Sequence, residues 1–304
     1  MKSEAYAAVD IGGTKTSVGL YNSEFKKITE TATIPTESSR GCRDLVEHAH
    51  KEYKRLLNSA GLAPESVRKI GIACPGPLDL KKGHIVYIPT MGFKDEPLTD
   101  YFEDIFGLPA VLQNDTNAAA LAESRIGAGQ GCKTVVYVTI STGIGCGIAI
   151  NGEILDGAFC AAGELGHMTV ERNGRQCACG KRGCLELYSS GTAIASTATE
   201  LLGRQLCAKE AFDAARGGEK TAVKVIADAT DYLGYALAAM YQILDPDIIV
   251  LGGSVTKDYD FFKDDLLEAV KKYSQPIPGR DHRIVVSQYG GEQVMLGAAI
   301  LSAM

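Results

Sequence analysis

The sequence predicts an α/β fold, and three observations carry that prediction. Short apolar runs alternate with longer segments of helical periodicity along the 304-residue chain. A glycine-rich turn joins two apolar runs near the N-terminus. The same plan then recurs, AVDIGGTKTSVGLYN at 8–22 and VTISTGIGCGIAIN at 138–151. Each copy runs from an apolar strand through a small-residue turn carrying threonine into a second apolar strand and a closing asparagine, Asn22 or Asn151. Two such hairpins indicate a duplicated domain plan rather than a single nucleotide-binding sheet.

The elements follow in order. Ala5–Val9 and Thr16–Tyr21 read as strands joined through the turn Asp10–Lys15. Leu45–Leu57 has apolar positions at helical spacing, and Lys69–Ala73 is a short buried strand that runs into the loop Cys74-Pro75-Gly76-Pro77. Ala110–Gln113 is a further strand, after which Asn114-Asp115 opens an alanine-rich helix reaching Arg125. Thr134–Thr139 and Cys146–Ile150 form the second hairpin. Beyond Cys184 the pattern turns helical, with 193–202 and 222–244 the longest segments. Ile248–Leu251 is a strand ending in Gly252-Gly253-Ser254, Ile284–Ser287 is the last strand, and 294–304 reads as a closing helix. These elements suggest an N-terminal α/β domain over 1–117, with the final helix (293–304) packing back on it, and a larger α/β domain over 118–292.

Hydrophobic residues make up 45% of the chain, enough for a substantial core, and charged residues 22%. The net charge of -6 gives no global attraction toward nucleic acid or anionic membrane, so neither is expected as a partner. No apolar run approaches the ~18 residues a membrane span needs. The N-terminal segment MKSEAYAAVDIGG lacks a signal-peptide core, which points to a cytoplasmic protein. Nine cysteines, an odd number in a chain of this kind, do not read as a disulfide framework. Three of them crowd between Cys177 and Cys184.

Three groups of residues carry chemistry. In Asp10-Ile11-Gly12-Gly13-Thr14-Lys15 the glycines let the backbone approach a phosphate and permit positive φ, while Thr14 and Lys15 add a hydroxyl and a cation. Asp10, at a strand end, is placed to face magnesium directly or through water. The bland alternative is a tight turn with no ligand. The near-repeat at Thr142-Gly143-Ile144-Gly145 favours two turns gripping one polyphosphate. The second group is Asn114-Asp115. The carboxylate of Asp115 is either a helix cap or a base accepting a proton from an attacking hydroxyl, and local sequence does not choose. A helix N-terminus is expected to lower its pKa. The third group is His167 with Cys177, Cys179 and Cys184, a donor set suited to tetrahedral zinc, against a redox pair, a disulfide or unrelated thiols. Glu164 and Glu186 flank these residues, and a zinc loop would hold both carboxylates at a pocket wall; ordinary solvated glutamates are the alternative.

Taken together and in this order, DIGGTK at 10–15, GIACPGPLD at 71–79, QNDTNAAALAE at 113–123, STGIGCGIAINGEIL at 141–155, ELGHMTV at 164–170, CACGKRGCLE at 177–186 and LGGS at 251–254 resemble the ROK family of sugar kinases and related repressors. The resemblance implies the actin-like (RNase H-like) ATPase fold, with two α/β domains flanking a cleft. It implies ATP and magnesium between the turns at Gly12, Gly13, Thr14, Lys15 and at Thr142-Gly143, with Gly252-Gly253 toward the adenosine. It assigns Asp115 as catalytic base, and Asn114, Glu164, His167 and Glu186 as partners of the sugar hydroxyls. It assigns His167, Cys177, Cys179 and Cys184 as zinc ligands, and it implies a homodimer.

What the resemblance implies is an ATP-dependent hexose kinase, glucose first, with N-acetylmannosamine or N-acetylglucosamine as the runner-up acceptors and fructose or allose behind them. Preference is expected to depend on the loop Tyr87–Phe93 (YIPTMGF). The rival readings are a sugar-sensing repressor and a non-catalytic sugar-binding protein. A first strand starting almost at Met1 and the acidic charge speak against the repressor; Asp115 and both phosphate turns speak against the non-catalytic protein.

Overall fold

The structure is a computed structural model that describes residues 4–304; the first three residues of the N-terminal segment read above lie outside the described residues. The chain forms two compact units. The first takes in the chain up to Ala122, Ile154–Ala162 and Glu292–Met304, and the second Glu123–Glu153 and Gly163–Gly291.

In the first unit the elements are β1 (Ala5–Ile11), β2 (Lys15–Tyr21), β3 (Ala32–Pro35), α1 (Cys42–Ala60), β4 (Val67–Cys74), β5 (Leu78–Asp79), β6 (His84–Ile88), β7 (Phe93–Glu96), α2 (Leu98–Phe106), β8 (Ala110–Asn114) and the start of α3 (Asp115–Arg125). The main sheet has the order β3-β2-β1-β4-β8. β1 and β2 form an antiparallel hairpin, whereas β1, β4 and β8 run parallel. Parallel strands must be covered on both faces, and β1 accordingly reads as a nearly continuous buried run. α1 buries Leu45, Val46, Ala49, Tyr53 and Leu56 at spacings of three and four.

The second unit holds β9 (Thr134–Ile140), β10 (Ile144–Ile150), the first residue of β11 (Glu153–Ile154), α4 (Glu186–Ser189), α5 (Gly191–Leu202), α6 (Ala208–Arg216), α7 (Lys220–Ile243), β12 (Ile248–Gly252), α8 (Tyr259–Tyr273) and β13 (Ile284–Val286). Its sheet order, β11-β10-β9-β12-β13, repeats that of the first unit strand for strand. β9 and β10 are the antiparallel hairpin, and β9, β12 and β13 run parallel. The duplication read from the two hairpins therefore extends to whole sheets. The closing helix α9 (Gln293–Ala303) packs on β1 and β4.

Sequence patterning left out the small antiparallel sheet β5-β6-β7, together with β3, α2, α4, α6 and α8. These pieces are short, or, like α8, show only a narrow apolar stripe (Phe262, Leu266, Ala269, Val270) among charges. Among the described residues no helix is long and apolar enough to cross a membrane.

Candidate active site

Parallel strands bring their carboxyl ends to one edge of a sheet, and ligands bind at such edges. In the first unit Asp10 is in register with Ala73 and Gln113 across β1, β4 and β8, and Cys74 and Asn114 form the next pair toward that edge. The turn after β1 closes with Gly12 N–H donating to the Lys15 carbonyl at 2.9 Å. Thr36 braces it: its hydroxyl donates to the Gly12 carbonyl at 2.6 Å, and its N–H donates to the Thr14 carbonyl at 3.0 Å. Neither Gly12 nor Gly13 adopts positive φ, contrary to the conformational role expected of them. Space is the reason for glycine instead. A Cβ on Gly12 would sit 2.9 Å from the Lys15 carbonyl, and Gly13 faces open space, so its backbone is approachable. Thr14 and Lys15 are exposed beside it.

At the β8–α3 junction two neighbouring side chains, Asn114 and Asp115, make different contacts. Asn114 Oδ1 accepts from the Thr116 N–H at 3.0 Å, the Thr116 hydroxyl at 2.5 Å and the Asn117 N–H at 3.3 Å, so Asn114 is the residue that caps α3. Asp115 Oδ1 accepts from the same Thr116 N–H, at 2.8 Å. The expected depression of the Asp115 pKa does not occur. Burial raises it, and the bonds from Thr116, from its own N–H and from Asn114 do not offset that. Asp10 is pushed up to about 7, first by burial and then by the Asp115 carboxylate beside it. Two crowded, desolvated carboxyls at the end of a phosphate-type turn are a donor set that a hard divalent cation would relieve.

The second unit repeats the arrangement. Ser141 N–H donates to the Gly143 carbonyl at 2.9 Å to close the β9–β10 turn. Glu186, at the start of α4, accepts the Ile144 N–H on Oε2 at 3.0 Å, so this carboxylate is held by the second turn rather than by the cysteine loop. Gly253 follows β12 at φ 89°, and a Cβ there would lie 2.3 Å from the Ile140 carbonyl, so only glycine fits. Thr142 borders a cavity of about 610 Å³ whose walls include Thr192, Ala195, Lys209, Phe212 and Ser254. That size and its mixed polar and apolar lining suit a nucleotide.

His167, Cys177, Cys179 and Cys184 converge, with one donor atom from each lying within 4.8 Å of the others. His167 Nδ1 is 3.8 Å from Cys177 Sγ, and Cys179 Sγ is 3.6 Å from Cys184 Sγ. The cysteines sit on a tight hairpin in which Gln176 bridges to Arg182 and Cys177 N–H donates to the Lys181 carbonyl at 2.8 Å. Gly183, at φ 75°, lies so close to the Glu171 carbonyl that a Cβ would stand 1.6 Å away. Arg175 anchors the hairpin on α4, with its N–H on the Tyr188 hydroxyl at 2.8 Å and its guanidinium on the Leu187 carbonyl at 2.7 Å. Burial, then the neighbouring sulfurs, push the Cys184 thiol up to about 12. Three thiols and an imidazole converging within 4.8 Å fit a tetrahedral soft cation such as zinc, which binds the thiolate forms.

The structure thus groups Asp10, the Gly12–Lys15 turn, Asn114 and Asp115 in one unit, and Thr142, Gly143, Gly252, Gly253, Glu186 and the histidine–cysteine cluster in the other. Glu164 stands exposed just before the single helical turn Leu165–His167. Sequence reading missed the cavity walls, because Thr192, Ala195, Lys209 and Phe212 come from ordinary amphipathic helices and belong to no motif.

Residues 6–304 match the model of the ROK family. A glucokinase from Halalkalibacterium halodurans is 32% identical over 99% of this chain and 96% of its own length. A ROK hexokinase from Thermus thermophilus superposes with a TM-score of 0.87 at 34% identity, covering 97% of both chains. A ROK glucokinase from Streptomyces griseus, crystallised with glucose and AMPPNP, gives 0.78 at 31% identity over 98% of both. The α/β fold is accordingly the actin-like ATPase fold of ROK hexokinases.

Proposed function

The chain belongs to the ROK family, and on that premise we propose that it is an ATP-dependent hexose kinase that transfers the γ-phosphoryl group to the 6-hydroxyl of glucose. The observation that carries this reading is the crowded Asp115 carboxyl at the carboxyl end of β8, beside Asp10 and next to a helix already capped by Asn114. With Asn114 Oδ1 holding Thr116 and Asn117, the start of α3 does not depend on Asp115 alone.

Asp115 accepts the proton of the attacking hydroxyl. Its raised pKa makes it a better base than a carboxylate at an exposed helix end. Phosphoryl transfer passes through a loose transition state, so orientation and charge stabilisation carry most of the acceleration. The Gly12–Lys15 turn, whose Gly12 N–H closes it on the Lys15 carbonyl, stabilises phosphate charge through Gly13, Thr14 and Lys15, and Thr142 and Gly143 do the same. Gly252 and Gly253 lie toward the adenosine in this reading, and both must be glycine because a Cβ would meet the Tyr137 hydroxyl or the Ile140 carbonyl. Magnesium, when bound, supplies positive charge against the phosphates, and Asp10 would face it directly or through water. Asn114, Glu164, His167 and Glu186 read the sugar hydroxyls, and such paired polar groups reject analogues lacking one. His167, Cys177, Cys179 and Cys184 would hold zinc. With His167 Nδ1 toward the sulfurs, its Nε2 is left for the sugar. A cytoplasmic homodimer completes the proposal, and the net charge of -6 speaks against a nucleic-acid or membrane partner.

A coupled ADP-release assay across glucose, N-acetylmannosamine, N-acetylglucosamine, mannose, fructose and allose tests the substrate. Glucose is expected to give the highest kcat/KM. A higher value on an N-acetylated sugar would reassign the acceptor, and sugar-independent ATP consumption alone would remove the kinase reading.

A further inference from the structure

Asp156 lies outside both glycine turns, the Asn114-Asp115 pair and the histidine–cysteine cluster. It lies in Ile154–Ala162, a short stretch that belongs to the first unit although the chain on either side belongs to the second. Its Oδ1 accepts from Gln113 Nε2 at 2.9 Å and from Asn117 Nδ2 at 3.4 Å. Gln113 and Asn117 are each only 5% exposed, and they flank Asn114-Asp115 on both sides in the sequence. Gln113 Oε1 in turn accepts the Asn114 backbone N–H at 2.6 Å and Asn117 Nδ2 at 3.2 Å.

We propose that Asp156 is a positioning residue for Asn114-Asp115, fixing which way two buried amides face and thereby holding the Asn114 backbone; the inference rests on the reading of Asp115 as base. A side-chain amide presents a donor at one end and an acceptor at the other, and a carboxylate is acceptor-only. With Asp156 in place, the Gln113 nitrogen must turn toward it, which leaves the Gln113 oxygen for the Asn114 N–H. A flipped Gln113 would set its NH2 group against both the Asn114 N–H and Asn117 Nδ2, an arrangement of donors with no acceptor. The same carboxylate turns the Asn117 nitrogen inward, and Asn117 Oδ1 is left buried without a partner among the described residues. The orientation of Asn117 is therefore set by its two acceptors and not by its own carbonyl. The main chain of Asp156 is itself tied down, its carbonyl accepting the Ala162 N–H at 3.1 Å. Two amides locked in this way define where β8 ends and α3 begins, and so where the Asp115 carboxyl points. A shift of about 1 Å at a reacting group can cost on the order of 100-fold in rate.

The test is Asp156→Ala beside Asp156→Asn, with turnover expressed per glucose-binding site counted by calorimetry. Asp156→Ala is expected to lose roughly 10- to 100-fold in kcat while the KM for ATP stays within about twofold, because Asp156 touches none of the cavity that borders Thr142. Asp156→Asn keeps an oxygen acceptor and is expected to recover most of the loss. Should Asp156→Ala fail to fold, Asp156→Ser, too short to reach both amides, carries the same expectation. Parental kcat in the alanine or serine variant, or equal losses in the alanine and asparagine variants, would overturn the proposal. Asp115→Asn measured in parallel separates the two ideas: an active Asp115→Asn removes the base reading, whereas an inactive one beside a fully active Asp156→Ala removes only the positioning role.

Discussion

Asp115→Asn is expected to lose turnover by roughly 100- to 10,000-fold, the range typical of a general base, while glucose and ATP still bind within a few-fold of the parent. The substitution is nearly isosteric, and it leaves the start of α3 intact because Asn114 supplies the cap through Thr116 and Asn117. Stability is not expected to fall. The native carboxyl has a raised pKa, so the folded state holds the proton more tightly than the unfolded state. Such a group weakens folding increasingly as pH rises above its unfolded pKa, and replacing it at neutral pH removes that cost. The repulsion that helps push Asp10 up to about 7 goes with it. Binding by calorimetry, melting temperature and coupled turnover on one preparation check all three statements. Near-parental turnover would exclude Asp115 as the base.

Zinc removal is the second large expected effect. The purified protein should carry about one zinc per chain, and a strong chelator should abolish sugar binding while leaving much of the remaining secondary structure in place. A structural zinc of this type contributes on the order of 10 kcal/mol to local folding. That contribution falls on a hairpin that holds little apolar core of its own: Cys179 is exposed, and only Cys177 and Cys184 are well buried. The rest of its anchoring is polar, through Arg175 to Tyr188 and Leu187 and through the Tyr232 hydroxyl to Glu171. Loss of the metal should therefore free His167 and open residues 171–184 to limited proteolysis. Cys184→Ser should reproduce the chelated state. Full sugar affinity in protein shown by elemental analysis to be free of zinc would contradict the assignment.

The features legible in the sequence were those encoded locally. Both glycine-turn hairpins announced themselves through consecutive residues, and so did the duplication that proved to govern entire sheets. The histidine–cysteine cluster was legible because its four donors span only residues 167–184, with glycines permitting the tight hairpin. What escaped depends on tertiary assembly. The Asp115 pKa was read from its helix end, but burial, which only the fold creates, outweighs that end. Glu186 was placed beside the cysteines by sequence, whereas its carboxylate is held by Ile144 on a turn more than 40 residues away. The cavity wall and Asp156 carry no local signal at all: Phe212 looks like any core aromatic, and Asp156 resembles a loop aspartate until its two amide partners come into view.

Transfer of a phosphoryl group from ATP to a sugar hydroxyl is visible by phosphorus NMR of the reaction with glucose. The predicted result is a single new phosphomonoester resonance, coupled to the protons on carbon 6, that grows in step with ADP. Growth of inorganic phosphate alone, at a rate indifferent to glucose, would contradict it.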